Sequence, residues 1–361
     1  MAPSSALQQV LLSPAELSYL HTSLASTPPI RPDGRTSRQF RPLIAESNIL
    51  PGTNGSARIC FDDGTEAIVG AKAEVEKSRP VFAAREEEGE GEEMAEGQGE
   101  GGERGRNEWV DISVEIPGMR DDDSMPVFLS ALLSEALLAD GGFTRKLWIN
   151  RRFHWKLYID ILLLSQPLSY PLPLLSLTTH LALLATRLPR LKSEKDEDPM
   201  FDDDWEASVF LFPQSQTAKP PATLLVMAVS SNIIFDPSKE ELAVAEVVLA
   251  VSISSSPSSF TPESEMDVGE RKGGSLKLLA VRTIDPPSRL THPGVPNVVN
   301  TATGGTATDN MEMAMAREEG VWKSPRGGAK RKLIAEMIRK VLEKGGVGEE
   351  VLDGLEAVGL E

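Results

Sequence analysis

The feature that constrains the fold most is a stretch without a charged side chain, residues 161–186. It contains most of a helix-length sequence, LPLLSLTTHLALLATRL (172–188), which is almost wholly apolar. About 20 apolar residues can cross a membrane, but Pro167, Pro171 and Pro173 interrupt this stretch, and Ser, Thr and His are scattered through it. We therefore predict a helix buried in a protein core, against a sheet, and no contact with a membrane.

The composition is that of a chain able to build a core. Of 361 residues, 40% are hydrophobic and 25% charged, which fits two domains or one domain with large insertions. The single cysteine, Cys60, excludes a disulfide framework and a cysteine-based zinc site, and it favours a reducing compartment such as cytosol or nucleus. Because Cys60 lies in the apolar run SARICF, we predict a buried strand residue, with a reactive thiol as the alternative.

The net charge of −17 would ordinarily argue against a nucleic-acid partner. One low-complexity stretch, residues 85–108, contributes ten glutamates and three arginines, a net charge of −7. Such Glu/Gly-rich sequence buries too little apolar surface to fold, so we predict a disordered, solvated loop. The rest of the chain is still acidic, and any contact with a polynucleotide must come from a local basic patch or from partner subunits.

Capping and periodicity signals predict an α+β protein made of two related halves. A capping box at Ser13 and Glu16 starts a helix that ends near Leu24. Strands are then predicted at 40–50, 55–61, 66–75, 109–116 and 154–164, and helices at 124–140 and 172–188. In the second half, strands are predicted at 222–229, 232–235, 243–253 and 275–284, followed by a helix at 329–344.

These elements suggest a division into an N-terminal helix and arm (1–29) and two domains (30–190 and 205–361). Composition predicts disordered insertions in both domains, at 80–108, 253–274 and 290–322.

Common catalytic and metal-binding motifs give little support for a function. A G-x-G-x-x-G pattern occurs at Gly97, Gly99 and Gly102, but no strand precedes it and the surrounding glutamates would repel phosphate. None of the four histidines has an acidic residue at the spacing typical of metal ligands. They are His21, His154, His180 and His292. We predict neither a metal site nor a cofactor.

Two groups of carboxylates remain as candidate functional sites. Asp121, Asp122 and Asp123 precede a predicted helix, where capping and the helix dipole explain them. A second group follows the strand NIIF and consists of Asp236, Glu240, Glu241 and Glu246. This second group is either a solvated turn or a site for a divalent ion in phosphoryl chemistry.

A stiff arm connects the first helix to the first strand. Its sequence, LASTPPIRPDGR (24–35), contains three prolines that end the helix and an Asp33-Gly34 turn. The longer stretch SPAELSYLHTSLASTPPIRPDGRTSRQFRPL (13–43) contains this arm. Together with NGSARICFDDGTEAIVGAKAEV (54–75) and NIIFDPSKEEL (232–242), it resembles the RNase PH family. The resemblance covers about 13–284 and the last helix, without the predicted insertions.

The resemblance implies paired βαβα units like those of ribosomal protein S5 domain 2, in a six-membered ring capped by RNA-binding proteins. In this family Asp33, Gly34 and Arg35 are the signature that leads into the first strand, so the resemblance implies an architectural role for them. Active relatives cleave RNA from its 3′ end by phosphorolysis. That reaction requires cations around phosphate, backbone donors from a Gly-rich turn, and carboxylates.

The chain departs from the family pattern at each catalytic position. Where active members carry an arginine pair, it has Asp121, Asp122 and Asp123, and where they have a Gly-rich turn it has SQPLSYP (165–171). The positions expected for the two catalytic aspartates fall at Leu242 and near Val248, with only Glu246 close by. We therefore expect a catalytically inactive member; an active phosphate-dependent 3′-to-5′ exoribonuclease is the alternative.

The resemblance implies a non-catalytic subunit of the RNA exosome ring, acting in rRNA maturation and mRNA turnover. Its implied partners are RNA, other ring subunits of RNase PH type, especially the mRNA transport regulator 3 type, and cap subunits with S1 and KH domains. The implied localisation is nucleus, nucleolus and cytoplasm, and an acidic scaffold unrelated to RNA is a further alternative. Solvated surface charge is the ordinary interpretation of the basic residues near loops and strand ends, and contact with RNA phosphates is the alternative for Arg120, Arg145, Lys146, Arg151 and Arg152.

Overall fold

The computed structural model describes residues 12–78, 105–193, 197–213, 218–256, 275–290, 294, 321–325 and 327–358. They form two sheets with helices between and around them. The Gly97–Gly102 pattern, His292 and most of the predicted insertions lie outside the described residues. In the described ranges, none of the helices has the length and apolar character needed to cross a bilayer.

The first sheet has five strands in the order β1-β2-β3-β5-β4. Their bounds are β1 (Leu43–Ser47), β2 (Gly55–Phe61), β3 (Glu66–Lys77), β4 (Val110–Glu115) and β5 (Phe153–Leu163). β1 to β3 form the predicted antiparallel meander, with Gly64 at φ +81° in the turn between β2 and β3. β4 does not continue the meander: it lies at the far edge, parallel to β5. A parallel pair needs a crossover, which two helices supply: α2 (Ser124–Leu138) and α3 (Gly142–Arg145).

The second sheet is antiparallel throughout, in the order β11-β10-β8-β9. Its strands are β8 (Ala222–Val229), β9 (Asn232–Phe235), β10 (Val247–Ser256) and β11 (Ser275–Ile284). A short ribbon of β6 (Arg187–Leu188) and β7 (Val209–Phe210) precedes it.

Three helices accompany the second sheet, and two of them correct the sequence prediction. α5 (Lys239–Leu242) begins at a capping box formed by Ser238 and Glu241, so the strand predicted at 243–253 starts later, at Val247. That strand reaches Ser256, beyond the predicted start of an insertion at 253. α6 (Arg331–Val341) matches the predicted last helix, whereas α7 (Val347–Glu356) was missed.

The apolar helix predicted from the charge-free stretch is α4 (Leu172–Ala185), and all of its residues are buried. It contacts β2 and β3 of the first sheet and β8 of the second, so it lies between the two sheets. Two of its polar side chains make buried hydrogen bonds: Thr178 Oγ1 donates to the Leu174 carbonyl at 2.7 Å, and Ser176 Oγ accepts from the Thr223 N–H of β8 at 2.7 Å. Because α4 has a sheet on either side, its apolar residues are buried on every face.

The N-terminal helix α1 (Pro14–Ala25) has the predicted capping box at Ser13 and packs on the second sheet. Leu17, Leu20 and Leu24 of α1 share a core cluster with β8, β9 and Trp322. Trp322, which is 3% exposed, therefore does not belong to a disordered insertion ending at 322.

Two further sequence predictions need correction. The predicted insertion at 80–108 is too long at its C-terminal end, because residues 105–108 are described and lead into a short 3₁₀ turn in which Trp109 is buried. Cys60 lies in a strand as predicted, but it is half-buried and not fully buried.

Candidate functional site

The arm between α1 and β1 is fastened to the second half by a buried ion pair. Arg31 Nε and Nη2 donate to the two carboxylate oxygens of Glu241 at 2.7 and 2.8 Å, and both side chains are 0% exposed. The other Arg31 donor, Nη1, reaches the Phe235 carbonyl at 3.2 Å and the Thr36 carbonyl at 3.2 Å. A bidentate pair with these additional hydrogen bonds satisfies a guanidinium out of water.

Asp236 forms a second buried connection. Arg41 donates from its backbone N–H and from Nε to Asp236 Oδ2, both at 2.9 Å, and from Nη2 to Oδ1 at 2.8 Å. Arg35 Nη1 adds a bond to Oδ2 at 2.8 Å. Burial alone would raise the pKa of the Asp236 carboxyl, but the hydrogen bonds and charges of the arginines keep that pKa below its ordinary value.

The Asp33-Gly34-Arg35 turn aims Arg35 at this connection. Gly34 adopts φ +76°, which favours glycine, and Asp33 accepts from the Arg35 N–H at 3.0 Å and from Arg35 Nε at 2.7 Å. The turn therefore holds a guanidinium whose other end is bound to Asp236.

An apolar cavity of ≈ 60 Å³ lies beside these ion pairs. Ser169 lines it and accepts from Arg41 Nη1 at 2.8 Å. Leu242 and Val248, at the positions expected for catalytic aspartates, both line this apolar cavity and are 5% and 1% exposed. The other lining residues come from both halves: Met119, Met125, Pro167, Tyr170, Lys239, Ile284, Asp285, Pro286 and Pro287.

The lining of the apolar cavity is mainly uncharged, and its charged members are Lys239 and Asp285. Burial raises the pKa of the Tyr170 hydroxyl to about 12, which makes it a poor proton donor or acceptor at neutral pH. Asp285 faces outward and pairs with Arg289. In the described part of the chain, no group of three or more His, Cys, Asp or Glu side chains is placed to hold a metal ion.

The three aspartates before α2 are largely exposed. Asp123 occupies the N-cap position, yet its side chain makes no capping bond; Asp123 Oδ2 accepts instead from the Arg120 N–H at 2.9 Å. Asp122 lies 3.0 Å from the Arg120 guanidinium. Side-chain capping by this cluster is therefore not observed, and Asp121 and Asp122 lie at the surface.

The carboxylates after β9 do not form one group that could hold a metal ion, and the prediction of a solvated turn is wrong for Asp236 and Glu241. Asp236 and Glu241 are buried counter-ions of arginines, while Glu240 is exposed. Glu246 accepts from the Ser230 N–H at 3.1 Å and lies 3.4 Å from His21 Nε2 of α1, and the hydrogen bond from His21 lowers the pKa of Glu246.

The five basic residues proposed to contact RNA do not form one patch. Arg120 and Arg145 lie before and after α2, whose 15 residues span about 22 Å. Arg145, Arg151 and Arg152 are exposed, and Arg152 pairs with Asp198. Lys146 points inward, donating to the Leu211 carbonyl at 3.1 Å.

Sequence reasoning missed Arg31, Arg41 and Glu241 as structural partners. A signal was available: Arg31, Arg35 and Arg41 lie between α1 and β1, and carboxylates occur in the segment 236–241. Pairing them needed the fold, because 195 to 210 residues separate the partners along the chain.

Comparison with known proteins identifies the family of this chain. No family model matches the chain. Exosome complex component RRP42 of Saccharomyces cerevisiae is 33% identical over 247 residues, which are 67% of this chain and 81% of the relative. Exosome complex component rrp42 of Schizosaccharomyces pombe is 33% identical over 261 residues, 68% of this chain and 79% of the relative.

Two solved structures share the fold: an archaeal exosome core and an Archaeoglobus fulgidus exosome with RNA bound to the active site. Each has a TM-score of 0.53 and 14% identity, with 94% of this chain and 96% of the other covered. The α+β, RNase PH-like fold inferred from the sequence is thereby confirmed. On the identity to both yeast relatives, the chain belongs to the family of exosome complex component RRP42.

Proposed function

We propose that this chain is a non-catalytic structural subunit of the RNA exosome ring. It would support 3′-to-5′ RNA processing and degradation by completing the ring and lining its RNA channel. The observation that carries the inactive assignment is the apolar cavity, in which Leu242 and Val248 stand at the positions expected for catalytic carboxylates.

The surrounding charges support the same conclusion. Phosphorolysis needs cations available to the attacking phosphate. Arg35 and Arg41, beside the apolar cavity, are bound to Asp236, and Arg31 is bound to Glu241. Releasing one of these arginines to an anion would leave a buried carboxylate unpaired, which costs several kcal/mol.

A phosphorolysis assay tests the inactive assignment. The full chain is incubated with single-stranded RNA, inorganic phosphate and Mg²⁺, alongside an active RNase PH as positive control, and nucleoside diphosphates are quantified. We expect no release above background. Sustained release that is lost in the Glu246→Gln variant would establish the alternative, an active phosphorolytic exoribonuclease.

Native mass spectrometry of the assembly purified through this chain tests the ring assignment. We expect RNase PH-type ring subunits, particularly the mRNA transport regulator 3 type, together with S1/KH cap subunits. Imaging of the tagged chain should show nucleus, nucleolus and cytoplasm. Purification of the chain without any ring subunit would favour the acidic scaffold.

A further inference from the structure

A second cavity, of ≈ 120 Å³, lies at the C-terminal end of α2. It is distinct from the apolar cavity, which is lined by Met125 near the start of α2, because the 15-residue helix separates the two by about 20 Å. We call it the lysine cavity. Its walls come from α2, α3, the segment leading into β8, and strands β10 and β11, and its charged lining residues are Asp140, Lys146, Lys219 and Lys277.

Each lysine is held in place by a different contact. Lys146 Nζ donates to the Leu211 carbonyl at 3.1 Å and lies 3.9 Å from the centre of the Phe212 ring. The Lys219 side chain is 8% exposed and lies 3.6 Å from Glu356. Lys277 is half exposed and lies 3.9 Å from Asp140. Lys146 and Lys219 are thus held by contacts with the surrounding chain, whereas Lys277 lies at the more exposed side of the cavity.

The charge of this lining contrasts with that of the chain. Three lysines face one aspartate, a formal charge of +2, and Glu356 outside the lining offsets one more, whereas the whole chain carries −17. Burial, with a smaller effect from the charge of Lys219, lowers the pKa of Lys146. The positive charge of Lys219 disfavours the charged form of Lys146, and an anion bound between the two would offset that repulsion.

We propose that the lysine cavity binds a single phosphate group through Lys146, Lys219 and Lys277. A small, net-positive cavity selects a compact oxyanion, because lysine ammoniums act as point charges with several donors each. The volume of ≈ 120 Å³ leaves room for a compact tetrahedral anion. A free phosphate ion and a terminal phosphate of RNA present the same chemistry.

Isothermal titration calorimetry on the full chain tests this proposal. Inorganic phosphate is titrated at constant ionic strength, with chloride as the control anion, because general screening affects every charge. Lys277→Gln and Lys219→Gln each remove one ammonium from the lining, whereas Lys332→Gln removes an exposed lysine of α6 and serves as the matched control. We expect millimolar or tighter binding that weakens about tenfold in each cavity variant and is unchanged in the control.

Two results would overturn the proposal. One is the absence of heat above the chloride control, and the other is an equal weakening of phosphate binding in Lys332→Gln. Because Lys277 is half exposed, its substitution should leave the circular dichroism spectrum and melting temperature intact, so a loss of binding there is not a loss of fold. A second titration compares a short 5′-phosphorylated RNA with the same RNA lacking the phosphate. If only the phosphorylated RNA competes with inorganic phosphate, the ligand is a terminal phosphate of RNA. If neither RNA competes, the ligand is the free phosphate ion.

Discussion

Substitution of Glu241 by Gln tests the view that buried ion pairs join the arm to the second half. Glu241→Gln keeps the shape of the side chain but removes the charge that Arg31 meets at 2.7 and 2.8 Å. It also alters the capping box of α5, where Glu241 Oε2 accepts from the Ser238 N–H at 2.8 Å. Arg31, which is 0% exposed on its side chain, would then be a buried cation without its counter-ion.

The expected cost follows from these losses. Removing one partner of a buried pair destabilises by about 3–5 kcal/mol. The four carbonyls that Arg31 also contacts, those of Thr36, Gln39, Phe235 and Asp236, remain in place and favour the lower end of that range. The capping box adds little to this loss, because the glutamine carbonyl oxygen can still accept from the Ser238 N–H. We therefore expect the free energy of unfolding to fall by about 3 kcal/mol.

Urea denaturation of the full chain, followed by circular dichroism, measures this loss. Glu343→Gln is the matched control, because Glu343 pairs with Arg38 at 3.0 Å while both side chains are about half exposed. Breaking such a surface pair should cost about 0–1 kcal/mol. If Glu241→Gln shifts the urea midpoint no more than Glu343→Gln does, buried charge pairing does not hold the arm.

Other contacts give shorter tests. The pKa of Asp236 is lower in the folded chain than in the unfolded chain, so the ionised carboxylate stabilises the fold fully above the unfolded pKa. This contribution is lost as the pH falls through the folded pKa. Asp236→Asn should therefore flatten the loss of stability between about pH 5 and pH 2, measured by urea midpoints. Ser176→Ala removes the acceptor of the buried Thr223 N–H and should cost about 1–3 kcal/mol in the same assay. Trp322→Ala opens a cavity beside α1 and should cost about 3–5 kcal/mol, with faster proteolysis of the N-terminal helix, whereas equal proteolysis would place α1 elsewhere. Leu242→Asp should lower the melting temperature and yield no phosphorolysis, since it places a carboxylate in a mainly apolar lining and restores only one of the changed positions.

Elements whose signal is local were predictable from the sequence. The capping box at Ser13, the turn at Gly64 and the apolar sequence of α4 each act over a few residues, and each appears in the structure as expected. α7 was missed because Gly348 and Gly354 lower its helix propensity. Its formation depends instead on packing: Val347 and Leu352 are buried in the main core.

The candidate site was predictable only in part, because its chemistry depends on pairings between distant segments. The apolar side chains at Leu242 and Val248 can be read directly from the sequence, but the identity of the buried counter-ions cannot. Asp236 looks like a turn residue in the sequence, and only the fold brings Arg35 and Arg41 to it. An aspartate in a solvated turn and an aspartate that is a buried counter-ion have the same side chain, so only the neighbouring residues in the fold distinguish them.

The contacts that join the two halves are largely separate from those that catalysis would need. Arg31 and Glu241 connect the arm to the second half, and α4 fills the space between the sheets. None of these requires a polar lining in the apolar cavity. A chain of this kind can therefore carry Leu242 and Val248 where the resemblance to RNase PH leads one to expect catalytic aspartates and still bury a core. The apolar residues themselves add to that core, since burying a leucine or valine contributes about 1.5–3 kcal/mol, whereas an unpaired carboxylate there would oppose folding.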